Sequence, residues 1–166
     1  VEIILKKLIS LKLYNNLQKE IIIIDDHSTD GSINILKKYT KKYNFIKTIY
    51  KKKNKGKGDS QKLAKKKVSG DYVIIQDADL EYNPMDINKL LKIAITKKKK
   101  FVIGYRKMKT SINHPYFYFR EMAVNILTGL INILYDVKIK DSACCYRLFS
   151  TKLWKSIKGN AEKFEY

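Results

Sequence analysis

Two groups of acidic residues each follow a short apolar run in the sequence. Asp26 follows the run 20–24, and Asp77 and Asp79 follow the run 72–76. In an extended backbone, residues i and i+2 point the same way, so Asp77 and Asp79 can converge on one hard cation, or one on a cation and one on a sugar. Two carboxylates left uncompensated at the end of an apolar strand are costly. The spacing therefore predicts that Asp77 and Asp79 bind a metal beside a diphosphate.

Arginine is rare in this lysine-rich chain. The arginines are Arg106, Arg120 and Arg147, and all of them lie downstream of the paired acids. The planar guanidinium makes bidentate contacts with phosphate or carboxylate that lysine does not reproduce. We assign the set to phosphate groups, with a structural ion pair as the alternative for any one of them.

A glycine-containing segment, Asn54 to Gly58, follows the second predicted strand in a loop from Lys51 to Gly58. Such a loop brings backbone amides and a lysine close to a phosphate or a nucleobase. The segment is not a P-loop, and it fails the GxGxxG pattern because Gln61 stands in place of the third glycine. By itself it is a weak signal.

The elements that must position these residues alternate between helix and strand. Helical spacing predicts a helix over 3–13, and later helices are predicted to about Tyr39, over 60–68 and from Asn83–Pro84 to about Thr96. Strands are predicted at 20–24, 45–50, 72–76 and 101–105. Continuous apolar strands are typical of a mostly parallel sheet with helices on both faces, in an α/β fold. Ligands of such sheets bind at the carboxyl ends of the strands, where the acids lie.

Length and charge limit the class of protein. The 166 residues, 45% of them hydrophobic, are enough for one core and one domain. The net charge of +19 is spread over all segments, so the runs 51–53 and 97–100 are interpreted as solvated charge, with weak attraction to anionic lipid headgroups. Asp30, within a predicted turn and cap, is expected to form an Asx-turn.

Compartment and membrane topology follow from cysteine use and hydropathy. Cys144 and Cys145 are adjacent and have no CxxC spacing, which predicts neither a disulfide framework nor a zinc site and fits a reducing compartment. No apolar run reaches the length of about 18 residues that a membrane span requires. The segment 121–135 is apolar over much of its circumference, and a core helix and a membrane-facing helix are equally good interpretations.

Four segments carry a resemblance to a known family. In order, they are IIIIDDHSTDGS (Ile21–Ser32), NKGKG (Asn54–Gly58), GDYVIIQDADLEYNP (Gly70–Pro84) and DSACCYRLFS (Asp141–Ser150). The series resembles successive landmarks of family 2 glycosyltransferases, most closely the dolichyl-phosphate or polyprenyl-phosphate sugar synthases. This resemblance implies a GT-A fold with a Rossmann-like sheet, and a DxD motif that holds Mg²⁺ or Mn²⁺ against a nucleoside diphosphate. It also implies one catalytic domain over residues 1–166 that lacks the family's first strand and its C-terminal end.

The resemblance also implies roles for single residues. On the donor side, Asp26 matches the acid that contacts the base, Lys57 borders the nucleotide, and Asp77 and Asp79 form the DxD pair. On the acceptor side, Arg106 matches the arginine of the usual GSR segment, Arg120 the arginine that begins the following helix, and Asp141 and Arg147 the D…CYR landmark.

The reaction implied by the resemblance is transfer of a hexose from a GDP-mannose or UDP-glucose type of donor to a polyprenyl or dolichyl phosphate, with inversion. A lipid phosphate is already anionic and needs no strong general base. The expected place is the cytoplasmic face of a membrane, with peripheral attachment. Two alternatives stay open: a family 2 enzyme that acts on a saccharide or protein hydroxyl with Asp141 as the base, and a non-catalytic basic protein that binds nucleic acid. No nucleic-acid motif supports the second alternative.

Overall fold

The computed structural model describes residues 1–105 and 115–157 of the protein. These residues form the helices α1 (Glu2–Ser10), α2 (Ser32–Lys42), α3 (Gly56–Lys65), α4 (Ile87–Thr96), α5 (Pro115–Tyr135) and α6 (Thr151–Ser156). The strands are β1 (Ile21–Asp25), β2 (Ile46–Tyr50), β3 (Tyr72–Ile74), β4 (Phe101–Ile103) and β5 (Arg147–Ser150). The predicted order of helices and strands and the α/β class are confirmed.

The N-terminal half of the chain is built on two parallel strands. β1 and β2 pair in register from Ile21 with Ile46 to Asp25 with Tyr50. α3 packs against β1 and α2 packs against β2, while α1 contributes to the apolar cluster that α2 and β2 also form. The buried members of this cluster are Leu5, Leu36, Tyr39 and Ile46. The two strands therefore end at the same edge, where Asp26 continues the chain.

The second group of strands has the order β3-β5-β4. β5 pairs antiparallel with both neighbours, with Tyr72 opposite Ser150 and Phe101 opposite Phe149. The sequence predicts a mostly parallel sheet, and this central antiparallel strand is the feature it misses. A short apolar run carries no information on strand direction. The strand that follows α5, β5, runs opposite to β3 and β4.

A larger core cluster lies between α4 and this second group of strands. Its buried residues are Leu11, Tyr82, Ile87, Leu90, Leu91, Ala94, Cys144, Tyr146 and Leu148. The rings of Tyr82 and Tyr146 stack with their centroids 4.8 Å apart. This pair joins the segment after β3 to the segment before β5.

Two helix starts were predicted with different success. The Asn83 side chain accepts a hydrogen bond from the backbone N–H of Met85, so the predicted cap with Pro84 at the first helical position is confirmed. The predicted loop 51–58 is wrong at its end, because α3 already begins at Gly56. The cause is the carboxylate of Asp26, which lies in a distant part of the chain and caps the start of α3.

Candidate functional site

Asp26 caps α3 from outside the helix. One carboxylate oxygen, Oδ1, accepts the N–H of Lys55 at 2.9 Å, and the other, Oδ2, accepts the N–H of Gly56 at 2.7 Å. These N–H groups belong to the start of a helix, where backbone donors lack partners within the helix. Gly56 has φ +83°, a conformation that favours glycine. Asp26 thus fixes the glycine-containing segment against the end of β1.

Lys51 is the second partner of Asp26, and the prediction that it is a solvated charge is wrong. Its ammonium lies 2.5 Å from Asp26 Oδ1 and 2.8 Å from Asp59 Oδ2, and only 5% of its side chain is exposed. Burial works to raise the pKa of Asp26, but the Lys51 ammonium and the N–H donors of Lys55 and Gly56 outweigh it and lower that pKa. Asp26 is therefore held as a carboxylate.

Lys57 and Asp77 form a bidentate ion pair. The Lys57 Nζ lies 2.7 Å from Asp77 Oδ1 and 2.9 Å from Oδ2, with 33% and 26% of the two side chains exposed. Lys57 lies in the first turn of α3 and Asp77 lies beyond β3, so the pair joins the two strand groups. The sequence predicts an uncompensated carboxylate at Asp77, whereas Lys57 neutralises it in this structure.

Asp79 lies on a tight turn at the surface. Its Oδ1 accepts the N–H of Glu81 at 3.0 Å, and Leu80 between them has φ +66°. Within residues 1–105 and 115–157, no group of three or more His, Cys, Asp or Glu side chains is arranged to hold a metal. Asp77 and Asp79 offer carboxylate oxygens that suit Mg²⁺, which usually binds one or two protein carboxylates together with substrate phosphates. The residues thus fit a cation that shares its ligands with a diphosphate.

Two buried tyrosines hold the segment that carries Asp77 and Asp79. Tyr146 donates its single O–H to the side chain of Gln76, the residue before Asp77, and its hydroxyl oxygen also lies 3.3 Å from the Asn83 carbonyl oxygen. The Tyr82 hydroxyl accepts the N–H of Cys145 at 3.1 Å. Burial raises the pKa of both phenols, so both stay protonated. Sequence reasoning missed these contacts because they join segments more than 60 residues apart.

The residues of the D…CYR landmark stabilise their own loop. Asp141 is buried, and its Oδ1 accepts the N–H of Ala143 at 3.0 Å. Arg147 donates from Nε to the Cys144 carbonyl and from Nη2 to the Ser142 carbonyl, both at 3.0 Å. These bonds use two of the five N–H donors of the guanidinium. Cys144 and Cys145 form no disulfide within the described residues.

The remaining predicted residues lie on or beside α5. Arg120 lies in the second turn of this helix and is exposed. Arg106 lies outside the described residues. Asp30 forms the predicted Asx-type contact, since its Oδ1 accepts the N–H of Ser32 at 3.0 Å.

α5 exposes a large apolar surface. Its members with 50% or more of their surface exposed are Tyr118, Phe119, Ile126, Leu127, Leu130, Ile133, Leu134 and Tyr135. The helix is attached to the following loop through Thr128, whose hydroxyl donates to Ser142 at 2.9 Å, and through Asn132, which bonds both backbone groups of Ile139. The interpretation of 121–135 as a core helix is therefore wrong for most of its apolar side chains. In the described part of the chain, no helix combines the length and the apolar character needed to cross a bilayer.

Comparison with known proteins places this geometry in a family. Residues 2–157 match the family described as Glycosyl transferase family 2. An uncharacterized protein of Methanocaldococcus jannaschii is 29% identical over 159 residues, covering 89% of this chain and 69% of that protein. A dolichol-phosphate mannosyltransferase of Pyrococcus furiosus is 31% identical over 127 residues, covering 75% of this chain and 36% of that protein.

A third relative is similar over a shorter stretch. A cholesterol galactosyltransferase of Borreliella burgdorferi is 49% identical over 61 residues, covering 37% of this chain and 17% of that protein. The chain thus spans less than half the length of both relatives with a named activity. The family match covers nearly all of the described residues, including the acids after β1 and β3. The chain belongs to glycosyltransferase family 2 and is a glycosyltransferase domain.

Proposed function

We propose that this glycosyltransferase domain binds a nucleotide-sugar donor of the GDP-mannose or UDP-glucose type at the ends of β1 and β3. The observation that carries the proposal is the ion pair of Lys57 with Asp77, which brings the start of α3 to the segment after β3. Within the chain, the Asp26 carboxylate accepts from Lys51 and Lys55 at Oδ1 and from Gly56 at Oδ2. A second lone pair of Oδ2 can accept an N–H of the base. Lys57 supplies a cation for a donor phosphate.

A divalent cation, Mg²⁺ or Mn²⁺, fits the carboxylates of Asp77 and Asp79 when a diphosphate supplies further oxygens. When bound, the cation offsets the negative charge on the departing diphosphate. Lys57 then shares or releases Asp77, and its ammonium becomes available to a phosphate oxygen. The Asp79 side chain is held on its own tight turn by the N–H of Glu81, and Tyr146 holds Gln76, the residue before Asp77.

For the acceptor we propose a polyprenyl or dolichyl phosphate. One of its phosphate oxygens forms a bond to the sugar's anomeric carbon with inversion, while the bond from that carbon to the nucleoside diphosphate breaks and the nucleoside diphosphate leaves. The likeness to the dolichol-phosphate mannosyltransferase supports this choice. Arg106, Arg120 and Arg147 would hold the phosphate in line, and Asp141 would orient the acceptor or the sugar hydroxyls. An anionic phosphate oxygen attacks without a strong base, which agrees with an Asp141 that is buried and engaged with its own loop.

A hydroxyl acceptor is the second candidate. The observation in its favour is the 49% identity to a cholesterol galactosyltransferase over 61 residues. A hydroxyl group must lose its proton during attack, so this reaction needs a general base. Asp141 is the carboxylate we assign to that role, and its loss would then lower the rate far more than it lowers binding.

The place of action that we propose is the cytoplasmic face of a membrane, with α5 lying in the interface. Its exposed apolar side chains are the support for this proposal. A lipid-phosphate acceptor presents its phosphate at the same interface, so attachment through α5 would bring the donor site to the acceptor. We expect no nucleic-acid partner.

The donor site is tested by isothermal titration of GDP-mannose and UDP-glucose into the purified protein, with and without Mn²⁺. Asp79→Ala should abolish the metal-dependent part of the binding, whereas Asp86→Ala, an exposed acid paired with Lys89, should leave it unchanged. Whichever of the two nucleotide sugars binds identifies the type of donor. Absence of binding to a folded protein would refute the donor site.

The two acceptors are separated by a transfer assay with the donor found above. Dolichyl phosphate and cholesterol are offered in parallel as detergent-dispersed acceptors. Product from dolichyl phosphate alone supports the first candidate. Product from cholesterol alone, with a large loss of turnover in Asp141→Asn, would establish the second.

A further inference from the structure

Lys51 lies beside Asp26 because β1 and β2 are parallel and in register. Asp25 is paired with Tyr50. The residues that follow these two, Asp26 and Lys51, are therefore neighbours. The Lys51 N–H donates to the Asp25 carbonyl at 2.9 Å and extends the ladder by one bond. The strand register therefore puts a lysine next to the carboxylate that we assign to the base of the donor.

The ammonium of Lys51 is occupied entirely by the chain itself. It lies 2.5 Å from Asp26 Oδ1 and 2.8 Å from Asp59 Oδ2, with the Ser60 hydroxyl at 3.3 Å and the Gly56 carbonyl at 3.4 Å. With 5% of its side chain exposed, the lysine is shielded from a ligand in the site. Any effect on the donor must pass through Asp26.

We infer that Lys51 is a positioning residue for the base of the nucleotide donor. A carboxylate held only by the N–H groups of Lys55 and Gly56 can still rotate about its side-chain bonds. The buried ammonium supplies a third contact from another direction and links the carboxylate to Asp59 on α3. The free lone pair of Asp26 Oδ2 is thereby kept in one orientation. This inference rests on the proposed donor site.

The test compares two ligands that use different parts of the site. GDP or UDP, whichever the wild type binds, carries a base, whereas pyrophosphate with Mn²⁺ engages only the Asp77 and Asp79 side. Lys51→Met should weaken the binding of the nucleoside diphosphate at least about tenfold, because small displacements of a contact group are costly. Pyrophosphate binding should stay within about twofold. Lys89→Met, which removes an exposed lysine that is also paired with an aspartate, is the matched control and should change neither.

Asp59→Asn covers the case in which Lys51→Met does not fold, since loss of Lys51 leaves two acids close together without their cation. This variant keeps the Lys51–Asp26 pair and removes the second anchor. It should weaken nucleoside diphosphate binding about threefold and leave pyrophosphate binding unchanged.

The outcomes are distinct. A folded Lys51→Met protein that binds both ligands like the wild type, or that loses both equally, overturns the inference. If only Asp59→Asn folds, an unchanged nucleoside diphosphate affinity overturns it as well. A wild type that binds pyrophosphate and Mn²⁺ but neither nucleotide overturns the base contact and the inference, and leaves the metal and diphosphate part of the donor site standing. A wild type that binds neither ligand overturns the whole donor site together with the inference.

Discussion

At the scale of single residues, a lysine occupies the position where the spacing of two acids predicts a cation. The Lys57 ammonium contacts both oxygens of Asp77, so a metal ion that arrives alone must compete with a charge that the chain supplies. A metal bound to a diphosphate brings phosphate oxygens that Lys57 can contact instead. In the proposed donor site, the pair would therefore favour joint binding of metal and nucleotide over binding of the metal by itself.

Lys57→Met should consequently raise the affinity of the protein for Mn²⁺ in the absence of nucleotide, by up to about fivefold, the range of a partly exposed ion pair. The same variant should weaken nucleoside diphosphate binding, since a cation for the phosphates is lost. Both quantities are available from calorimetric titration. Lys55→Met, an exposed neighbour, serves as control, and a lower Mn²⁺ affinity in Lys57→Met would show that the lysine does not compete.

At the scale of elements, Glu20 joins the beginnings of the two strand groups. Its Oε1 accepts the N–H groups of Ser69 and Gly70 and the Ser69 hydroxyl, at 2.7 to 2.9 Å, and Lys47 pairs with Oε2 at 3.0 Å. Burial works to raise the pKa of Glu20, but these partners outweigh it and lower the pKa to about 2. One side chain thus fixes the turn before β3 to the start of β1.

Glu20→Gln should lower the free energy of unfolding at pH 7 by about 1–3 kcal/mol, the range for hydrogen bonds to a charged group. A depressed pKa stabilises the fold at pH values above the unfolded value of 4.5, and this contribution is lost as the pH falls from 4.5 to about 2. The variant should therefore lose less stability than the wild type over that pH range. Urea unfolding at several pH values measures both effects. Glu121→Gln, on the exposed face of α5, is the control, and parallel pH curves for wild type and Glu20→Gln would contradict the assignment.

Tyr146 also acts on a whole segment of the chain, because its hydroxyl contacts Gln76 and Asn83 in the segment after β3. Tyr146→Phe should lower the free energy of unfolding by about 0.5–1.5 kcal/mol and weaken Mn²⁺-dependent donor binding, since Gln76 adjoins Asp77. Calorimetry and urea unfolding measure the two losses. Tyr118→Phe, at an exposed position of α5, should produce neither loss. If Tyr146→Phe is destabilised but its donor binding is unchanged, Tyr146 contributes to stability and not to donor binding.

The sequence predicted the order of these elements well and their boundaries less well. Apolar runs and the Asn83 cap are local signals, and they gave the strands and the start of the helix after Pro84. α3 begins earlier than predicted because its cap is Asp26, about 30 residues away in the chain. The antiparallel direction of β5 and the burial of Lys51 depend on the same kind of distant contact. The acids at the strand ends were found from spacing, but their lysine partners were not.

At the scale of the whole molecule, the apolar surface of α5 is combined with a strong positive charge. The chain carries +19, and Lys138 and Lys140 lie in the segment after the helix, beyond Asp136. In the proposed attachment, burial of these apolar side chains and the positive charge of the chain would act together on an anionic membrane. Ile133 and Leu134 are 80% and 74% exposed, so their replacement costs the fold little.

The variant Ile133→Ser/Leu134→Ser should reduce partitioning onto anionic vesicles at least about tenfold, because each side chain loses about 1.5–3 kcal/mol of apolar burial in the interface. Sedimentation with vesicles of phosphatidylcholine and phosphatidylserine measures the partitioning. Ile93→Ser on α4, also exposed, is the matched control. Equal partitioning of wild type and variant would show that α5 does not bind the membrane interface. If the wild type is a dimer that the variant dissociates, the apolar surface of α5 binds a second copy of the chain.

The strand pairings also imply an order of folding. Only α2 and its flanking loops separate β1 from β2, whereas Tyr72 of β3 pairs with Ser150 across about half of the chain. Closure of the longer loop costs more entropy, and contacts between distant residues form slowly. During synthesis on the ribosome, the unit that contains β1, α2 and β2 can form while β5 has not yet been made. Asp26 and Lys51 would then be in place before β5 fixes the segment of Asp77, so the nascent chain would acquire the proposed base-binding half of the site before the proposed diphosphate-binding half.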